Sequence, residues 1–290
     1  PNEIDKFINE SLKPKPVEPT EQEFISLCKC FQAQYAQLPN LITISQLITA
    51  VGRIHGQFDD LLEIFDIYGK PPYACYLFLG NFANYGPHNI LTIVLLFSLA
   101  IKYPNYFYLL RGPHESRQMT RQCGIFDEII NLYGSPRVWE HLMTAFDSLP
   151  LAAVCDGFFF VSGGIAKSIS SLSQINSFDR FNEISLNNAW SELIFDVPNK
   201  GVQDFKPLPQ KIGFYYGQQQ LDSFLKANDL KYLVYSKRLC PNGYDTSFSE
   251  NCINLWSAPK FFGWMQNEGA VLQIVSHESN QKKNYFIHVF

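Results

Sequence analysis

Two histidines are among the side chains best suited to chemistry, and both lie in short segments that contain glycine. His55 belongs to Gly52-Arg53-Ile54-His55-Gly56-Gln57, and His114 belongs to Arg111-Gly112-Pro113-His114-Glu115. Imidazole is both a metal ligand and an acid–base group near neutral pH. Because two imidazoles without a carboxylate would form only a weak and open metal site, we expect hydrogen-bonded histidines instead.

Three basic residues, Arg53, Lys237 and Arg238, offer a second kind of chemistry, the binding of an anion. Cations gathered in one cleft could hold a phosphate group or an acidic tail. The alternative is that Arg53 and Lys237 fill the cleft or reach solvent, paired with carboxylates such as Asp59 or Asp196. We favour this second, structural interpretation.

Short apolar runs alternate with amphipathic ones in the first half of the chain, which predicts strands alternating with helices. The strands are expected at Leu47–Val51, Cys75–Leu79 and Phe107–Leu110, and the helices at Phe58–Tyr68 and Asn89–Lys102. A βαβαβ order implies parallel strands joined by right-handed crossovers. In such sheets functional residues gather at the carboxyl ends of the strands, where His55, Asn81 and His114 lie.

The second half of the chain is richer in strands. A hairpin is expected at Leu151–Asp156 and Gly157–Val161, with further strands at Tyr232–Val234, Ile253–Ser257, Ala270–Val275 and Asn284–Val289. Helices are expected at Ser116–Tyr133, Ser135–Leu149, Ala166–Leu172, Phe178–Glu183 and Gln218–Ala227, and a loop at Val197–Lys211. These elements predict an α/β protein with a four-layer αββα arrangement, in which two mixed sheets pack face to face with helices outside.

Residues 1–19 are predicted to form an N-terminal helix and linker, and residues 20–290 a single domain. The linker contains Lys13-Pro14-Lys15-Pro16, where proline prevents a continuous helix. The domain begins at a capping box formed by Thr20 and Glu23. A chain of 290 residues with 46% hydrophobic content can bury one large core.

Charge and composition exclude several classes of partner. The net charge is −4 and the basic residues are scattered, so we expect no nucleic-acid partner. The apolar stretch Ile90–Ile101 is too short to span a bilayer, so we expect no membrane segment. Seven cysteines without C-x-x-C spacing fit reduced thiols in a cytoplasmic protein, with a cytoskeletal or other large assembly as one location considered.

Several stretches between about Phe24 and His288 resemble the catalytic subunits of the serine/threonine phosphoprotein phosphatases, most closely the type 2A group. Among them, in the family's order and spacing, are His55-Gly56-Gln57-Phe58-Asp59-Asp60-Leu61, Gly69-Lys70-Pro71-Pro72, His114-Glu115-Ser116-Arg117-Gln118 and Ser257-Ala258-Pro259. The resemblance implies a metallophosphatase fold of the calcineurin-like type. It also implies two divalent metals, about 3.5–4 Å apart, that supply the attacking hydroxide.

The resemblance assigns metal-ligand positions to Arg53, His55, Asn81, Pro113, Ser162 and Lys237. The family motifs have aspartate at Arg53 and Asn81, asparagine at Pro113, and histidine at Ser162 and Lys237, so only His55 keeps the family's residue type. Arginine stays protonated in proteins, and even an outer-shell change costs about 10–100-fold in metal affinity. We therefore predict that the two metals are absent and that the chain takes no cofactor.

The same resemblance assigns the general acid and the phosphate clamps. His114 matches the acid, but Asn84 replaces the aspartate that would orient it. The family's phosphate-gripping arginines correspond to Tyr85, Gln210 and Tyr235. No functional catalytic residue is expected, and His114 is interpreted as a vestigial acid.

The function predicted from these losses is that of a pseudophosphatase, a catalytically inactive relative that serves as a protein-binding or scaffold module in a larger assembly. Because the family works through scaffold and regulatory subunits, a protein partner is expected. Two alternatives stay open. One is a divergent active serine/threonine phosphatase, and the other is a sensor that binds phosphopeptides or anions through Arg53, Lys237 and Arg238.

Overall fold

A computed structural model describes residues 3–185, 189–275 and 284–290. Its α-helices are α1 (Glu3–Ser11), α2 (Glu21–Tyr35), α3 (Phe58–Tyr68), α4 (Asn89–Lys102), α5 (Arg117–Gln122), α6 (Ile125–Tyr133), α7 (Arg137–Asp147), α8 (Glu192–Phe195) and α9 (Gln218–Ala227). Its strands are β1 (Leu41–Thr43), β2 (Thr49–Val51), β3 (Tyr76–Phe78), β4 (Phe107–Leu109), β5 (Ala152–Cys155), β6 (Phe158–Val161), β7 (Val197–Pro198), β8 (Lys206–Pro207), β9 (Phe214–Tyr216), β10 (Tyr232–Tyr235), β11 (Tyr244–Ser249), β12 (Cys252–Leu255), β13 (Ala270–Ile274) and β14 (Tyr285–Val289).

The first half of the chain forms the predicted βαβαβ unit. Strand β2 pairs in parallel with β3, and β3 pairs in parallel with β4, with Val51, Phe78 and Leu109 in register. Helices α3 and α4 provide the crossovers, and both have the predicted bounds. Strands β13 and β14 extend this sheet in antiparallel fashion beside β2, so the five-stranded sheet is mixed.

A second mixed sheet has the strand order β1-β5-β6-β10-β12-β11. The hairpin of β5 and β6 is antiparallel, as predicted. Strand β10 pairs in parallel with both β6 and β12, so the loops that follow β6 and β10 leave the sheet at the same edge. Strands β7, β8 and β9 form a small third sheet.

Side-chain alternation along the strands produces the layers. Ala50, Leu77 and Tyr108 point into a core shared with Phe160 and Ile253 of the second sheet. The neighbouring strand residues point the other way, into a core shared with α2, α4 and α7. Because successive strand residues face opposite sides of a sheet, this pattern yields the predicted four-layer αββα fold, with a third core between the second sheet and α9.

Several predicted elements differ in the structure. The helix expected at Ser116–Tyr133 is interrupted between α5 and α6, where Gly124 has a φ of 115°. Neither Ala166–Leu172 nor Phe178–Glu183 is an α-helix. In the second segment Arg180 donates hydrogen bonds to the carbonyls of Tyr35, Leu38 and Ser148, so tertiary contacts override helical propensity.

Five strands were not expected from the sequence. They are β1, β9 and β11, together with the two-residue strands β7 and β8 inside the expected loop Val197–Lys211. Strand β11 is largely polar and has an irregular register against β12. Short or irregular strands of this kind lack the sustained alternation that identifies a strand in a sequence.

The N-terminal helix α1 lies on α4. Ile4, Phe7 and Ile8 are buried in the same core as α2 and α4, and Lys102 forms a 2.6 Å ion pair with Asp5. Pro1 and Asn2 of the predicted N-terminal segment lie outside the described residues, and the division at residue 20 stays a prediction. The predicted capping box is present, since Thr20 N donates to the Glu23 carboxylate at 2.9 Å.

Within residues 3–185, 189–275 and 284–290, no helix combines the length and the apolar character needed to cross a membrane. Helix α4 is nevertheless buried along nearly its whole length. It is enclosed by α1, α2 and α6 on one side and the five-stranded sheet on the other. Its uniformly apolar sequence therefore reflects a central position in the core.

The capping box gives a prediction about acid stability. Hydrogen bonds from Lys6 and Thr20 lower the pKa of Glu23 to about 2. A carboxyl whose pKa falls on folding stabilises the protein above its unfolded pKa of about 4.3 and loses that contribution as the pH falls toward its folded pKa. We expect Glu23→Gln to lower the urea midpoint at neutral pH, and the difference from the native chain to shrink steadily between about pH 4.5 and pH 2. A difference that is the same at neutral pH and at about pH 3 would contradict this.

Candidate functional site

The Glu115 carboxylate joins the loops that follow β3 and β4. Its Oε2 accepts hydrogen bonds from the backbone N–H groups of Asn81 and Gly112, both at 2.8 Å, and its Oε1 accepts one from Phe82 at 2.9 Å. Burial raises the pKa of Glu115, and the three N–H groups offset part of that rise. A Cβ on Gly80 would lie 2.5 Å from Gly112 N, so the two loops touch backbone to backbone.

Arg111 fixes the β4 loop to the helical layer. Its fully buried guanidinium donates to Asp147 Oδ1 at 2.6 Å and to the carbonyl oxygens of Arg180 and Asn182 at 2.9 and 3.0 Å. Asp147 also binds Arg117 at 2.6 Å. Breaking such a buried pair on one side leaves an uncompensated charge, so this network holds the loop in one position.

Three of the predicted ligand positions lie in loops that Asn81 connects by hydrogen bonds. Asn81 Oδ1 accepts from His114 N at 3.1 Å, and Asn81 Nδ2 lies 3.4 Å from Ser162 Oγ. The carbonyl of Pro113 accepts from Ser116 Oγ at 2.8 Å. The structure therefore brings Asn81, Pro113 and Ser162 together, and their polar atoms bind protein groups.

His55 and His114 lie edge to face, with ring centroids 4.8 Å apart. His55 Nδ1 lies 3.3 Å from the Ala83 carbonyl. The ring is surrounded by Tyr85, Trp256 and Phe261, at centroid distances of 5.5, 5.7 and 5.0 Å. Burial, then His114, then Arg53 lower the pKa of His55 well below its ordinary value, so this imidazole is neutral near pH 7.

His114 has the predicted neighbour. Asn84 Nδ2 lies 3.0 Å from His114 Nδ1, and Asn84 Oδ1 accepts from Ile125 N at 3.3 Å. An amide that donates to Nδ1 leaves the ring proton on Nε2. Burial, with Arg53 and Lys237, lowers the pKa of His114 to about 3, so the ring is a neutral hydrogen-bonding group and does not carry a transferable proton near pH 7.

Arg53 enters the cleft from the end of β2. Its Nη2 donates to the Ser236 carbonyl at 2.5 Å, and its guanidinium lies 5.2 Å from the centre of the Trp256 ring. The Nε atom is buried and has no hydrogen-bond partner among the described residues. Burial lowers the pKa of Arg53 to about 10, and Glu115 opposes that shift, so the guanidinium stays charged at neutral pH.

Lys237 follows β10 and is half-buried beside Arg53. Its Nζ donates to the Ile194 carbonyl at 3.3 Å and lies 4.6 Å from the centre of the Phe195 ring. Asn254 Oδ1 accepts from Lys237 N at 2.9 Å and so fixes the backbone. Burial, together with Arg53, lowers the pKa of Lys237 to about 7.

The expected ion pairs with Asp59 and Asp196 are not found among the described residues. Asp196 is fully buried, and its Oδ1 accepts from Phe214 N at 2.7 Å. Burial raises the pKa of Asp196 to about 9, and the nearby Lys237 opposes that rise. The structural interpretation of the two cations is wrong in this respect, because Asp196 is oriented by backbone and Asp59 is exposed on α3.

The remaining predicted positions lie around the cleft. Tyr85 is 43% exposed and its hydroxyl accepts from Cys123 Sγ at 3.1 Å. Gln210 is exposed and lines a separate cavity with Ser116 and Phe195. Tyr235 is buried, and Arg238 lies against Tyr235 OH at 3.4 Å and Asp245 at 4.0 Å. Arg238 is thus engaged on the β11 side.

Sequence reasoning did not identify several residues that form the site. Ser236, Asn254, Trp256 and Phe261 position or enclose the two cations and His55. Phe261 follows the recognised Ser257-Ala258-Pro259 stretch, which could have pointed to its loop. The parallel bridge between Arg53 and Trp256 joins distant parts of the chain, and no local pattern indicates it.

The family resemblance implies divalent metals, which need carboxylate or imidazole ligands when two lie close together. Within the described ranges, no group of three or more His, Cys, Asp or Glu side chains is arranged to hold a metal. Arg53 and Lys237 also bring positive charge into the cleft. The side chains at these positions do not fit a pair of divalent metals.

The fold and site define a metallophosphatase-like protein with a cationic cleft, and comparisons with known proteins identify its family. Residues 47–236 match the calcineurin-like phosphoesterase family. The chain is 37% identical to the serine/threonine-protein phosphatase PP2A-like PPG1 of Candida albicans, over 97% of this chain and 68% of that protein. It is 39% identical to a putative serine/threonine-protein phosphatase of Schizosaccharomyces pombe, over 87% of this chain and 83% of that protein.

A solved structure agrees with these relatives. It is the structure of a protein serine/threonine phosphatase from Saccharomyces cerevisiae with similarity to human phosphatase PP5, with a TM-score of 0.87 and 26% identity. The match covers 94% of this chain and 90% of that one. The chain belongs to the calcineurin-like phosphoesterase family, and its relatives are PP2A-like serine/threonine phosphatases.

Two predictions are corrected by these findings. The prediction that the chain is not an enzyme is contradicted by relatives 34–39% identical that are named serine/threonine phosphatases. The prediction that it takes no divalent metal is contradicted by its membership of a metallophosphatase family. Both predictions treated a change of residue type in the motifs as a loss of function, which the motifs alone do not establish.

The Glu115 contacts predict a strong effect of an isosteric substitution. In Glu115→Gln one acceptor oxygen becomes an N–H donor, so it faces one or two backbone N–H groups that then lack an acceptor. An unsatisfied buried donor costs about 1–3 kcal/mol, and we expect the free energy of unfolding to fall by about 3 kcal/mol.

Urea unfolding of Glu115→Gln and of Glu183→Gln, a carboxylate on the half-buried rim, would measure this. A loss for Glu115→Gln no larger than that for the Glu183 variant would contradict the assigned role of Glu115.

Proposed function

We propose that the chain is a divergent serine/threonine protein phosphatase whose cleft receives the phosphoryl group of a phosphorylated serine or threonine in a protein. The observation that carries this proposal is that two cationic side chains in the cleft have donor groups with few protein acceptors. Arg53 Nε has no partner among the described residues, and Lys237 Nζ has one carbonyl at 3.3 Å. A phosphate ester supplies oxygen acceptors for such groups.

The charges around the cleft favour the same ligand. Burial lowers the pKa of Arg53 to about 10 and that of Lys237 to about 7, and it raises the pKa of Asp196 to about 9. Glu115 acts on Arg53, and its oxygens already accept three backbone N–H groups. The charges in the cleft therefore favour binding of an anion. A phosphomonoester carries a charge of about −1.5 to −2 at neutral pH.

The residues around the cations would position the ester. His55 and His114 are neutral, and His114 Nε2 offers a further N–H. Trp256, Phe261 and Tyr85 exclude water from one side, and a drier site strengthens the attraction between guanidinium and phosphate. These residues would bind and orient a phosphate. The hydrolytic part of the proposal rests on the similarity to relatives that are named as phosphatases.

Two further expectations remain part of the proposal. A protein partner in a larger complex and a cytoplasmic location both stay predictions, motivated by the family resemblance and the cysteine pattern. The binding of phosphopeptides through Arg53 and Lys237 is common to the phosphatase and the sensor. Arg238 also belongs to the predicted anion-binding set, although it lies against Asp245.

Binding of phosphopeptides tests the recognition step. We expect labelled phosphoseryl and phosphothreonyl peptides to bind more tightly than their unphosphorylated forms. Replacing either cation in Arg53→Met or Lys237→Met should weaken binding about tenfold or more, since a hydrogen bond to a charged group is worth about 1.5–3 kcal/mol. Fluorescence anisotropy would measure this, with Lys226→Met, an exposed lysine on α9, as the matched control.

Release of inorganic phosphate from the same peptides tests the enzymatic step. The purified chain should release phosphate, with and without added Mn²⁺ compared side by side, and Arg53→Met should reduce the rate at low peptide concentration. Saturable binding without release would restrict the proposal to recognition. Equal affinity for phosphorylated and unphosphorylated peptides would contradict it altogether.

The pKa of Lys237 gives a pH dependence. A bound phosphate favours the protonated ammonium, and burial with Arg53 places the pKa of the free group at about 7. Affinity for a phosphopeptide should therefore fall as the pH rises above about 7, while the second ionisation of the phosphate near pH 6 sets the lower limit. Lys237→Arg should extend binding to higher pH, because arginine stays charged. A native affinity that is constant from about pH 6 to pH 9 would contradict this.

A further inference from the structure

A groove of about 510 Å³ lies beside the cleft, between the loop after β3 and the loop that joins β12 to β13. Its walls include Tyr85, Pro87, Phe261 and Phe262, and its rim includes Asp59. Tyr85 belongs both to this groove and to the cleft, since its ring centroid is 5.3 Å from that of His114. The groove therefore lies next to the His114 side of the cleft. We call it the Tyr85–Phe262 groove.

Exposed aromatic rings lie at one wall of the groove and directly beside it. Phe262 lines the groove and is 48% exposed, and the neighbouring Trp264 is 69% exposed, with its ring nearly parallel to that of Phe262 and the centroids 6.3 Å apart. Tyr85 faces Phe262 at 5.2 Å and is 43% exposed. Exposed aromatic clusters of this kind mark interaction sites in soluble proteins.

The loop holds these rings outward in a fixed conformation. Lys260 and Phe262 have φ values of 46° and 58°, a region that costs a non-glycine residue about 1–3 kcal/mol. Buried Asn267 anchors the loop, because its Nδ2 donates to the Ala258 carbonyl at 2.8 Å and its Oδ1 accepts from Phe261 N at 3.0 Å. Phe262 is therefore exposed because an anchored loop conformation holds its ring outward.

The charges of the rim indicate the complementary ligand. Asp59 is exposed and has no ion pair among the described residues. Lys260 is the basic residue of the lining and acts on Asp60, whose carboxylate already accepts from Gln57 Nε2 at 2.6 Å. On the other side of Tyr85, a second groove is lined by Glu18, Asp127 and Glu128, with no basic residue among the described ones.

We propose that the Tyr85–Phe262 groove binds an arginine side chain of the phosphoprotein partner, close in sequence to its phosphorylated residue. A guanidinium stacks on aromatic faces and pairs with a carboxylate, and Phe262, Trp264 and Asp59 offer both. Lysine lacks the planar group that stacks, so arginine is preferred. The inference rests on the proposed function only for where the phosphate lies. Binding of the arginine itself does not require phosphate.

Unphosphorylated peptides make the test independent of the phosphate site. Three short labelled peptides of one sequence, carrying arginine, lysine or citrulline at a single position, would be titrated by anisotropy at low ionic strength. We expect the arginine peptide to bind about threefold more tightly than the lysine peptide and about tenfold more tightly than the neutral citrulline peptide.

Variants of exposed residues then locate the site without threatening the fold. Phe262→Ala and Trp264→Ala should each weaken binding of the arginine peptide about threefold, and Asp59→Asn together with Phe262→Ala about tenfold. The matched controls are Tyr73→Ala, a residue 95% exposed, and Asp66→Asn on the same helix as Asp59. Neither control should change the affinity.

Three outcomes would overturn the inference. They are equal affinity for the arginine and citrulline peptides, an unchanged affinity in the double variant of Phe262→Ala with Asp59→Asn, and an equal loss in the Asp66 or Tyr73 controls. Loss of phosphopeptide binding in Arg53→Met with unchanged binding of the unphosphorylated arginine peptide would show that the two sites act separately. A failure of either proposal is therefore distinguishable from a failure of the other.

Discussion

The geometry of the cleft depends on one buried carboxylate, that of Glu115. It accepts hydrogen bonds from backbone N–H groups on two loops that leave neighbouring parallel strands. Charged acceptors of this kind form stronger hydrogen bonds than neutral ones, so the loops are held even though no covalent link joins them. Asn81, Asn84 and His114 all take their positions from this connection. Arg111 and Asp147 then fix the same loops to the helical layer.

Arg53 and Lys237 bring positive charge into the cleft between these loops. Arg53 reaches its position through the bridge with Trp256 and the carbonyl of Ser236. Lys237 is placed by Asn254 and lies on the Phe195 ring. Both cations are partly desolvated, which lowers their pKa values and strengthens their attraction for an anion. This electrostatic arrangement is the basis of the proposal that the cleft binds a phosphate group.

Much of the fold could be predicted from sequence periodicity. Helices α3, α4 and α9 have the predicted bounds, because each shows a sustained helical pattern between clear end signals. The parallel order of β2, β3 and β4 follows from the crossover rule. Strand β11 was missed because its composition is polar. The extended segment around Arg180 was missed because its contact with a backbone carbonyl of α2 determines it.

The sequence predicted which residues form the site better than it predicted their contacts and pKa values. The loop ends gathered His55, Asn81, His114, Ser162 and Lys237 as the parallel topology requires. The direct ion pair of Lys237 with Asp196 was wrong because Lys237 Nζ donates to the Ile194 carbonyl and Asp196 Oδ1 accepts from Phe214 N, and these tertiary contacts have no local sequence signal. The inference of inactivity was also wrong by comparison with the relatives. It relied on residue types at single positions, whereas identity of 37% along the chain reflects the whole molecule.

The most direct measurement of the central claim is a crystal structure of the chain with a phosphoseryl peptide bound. We predict that phosphate oxygens lie within about 3 Å of Arg53 Nε and Lys237 Nζ, with the Trp256 and Phe261 rings enclosing the ester. A peptide bound elsewhere on the surface, with the Arg53 guanidinium unchanged and no phosphate in the cleft, would contradict it.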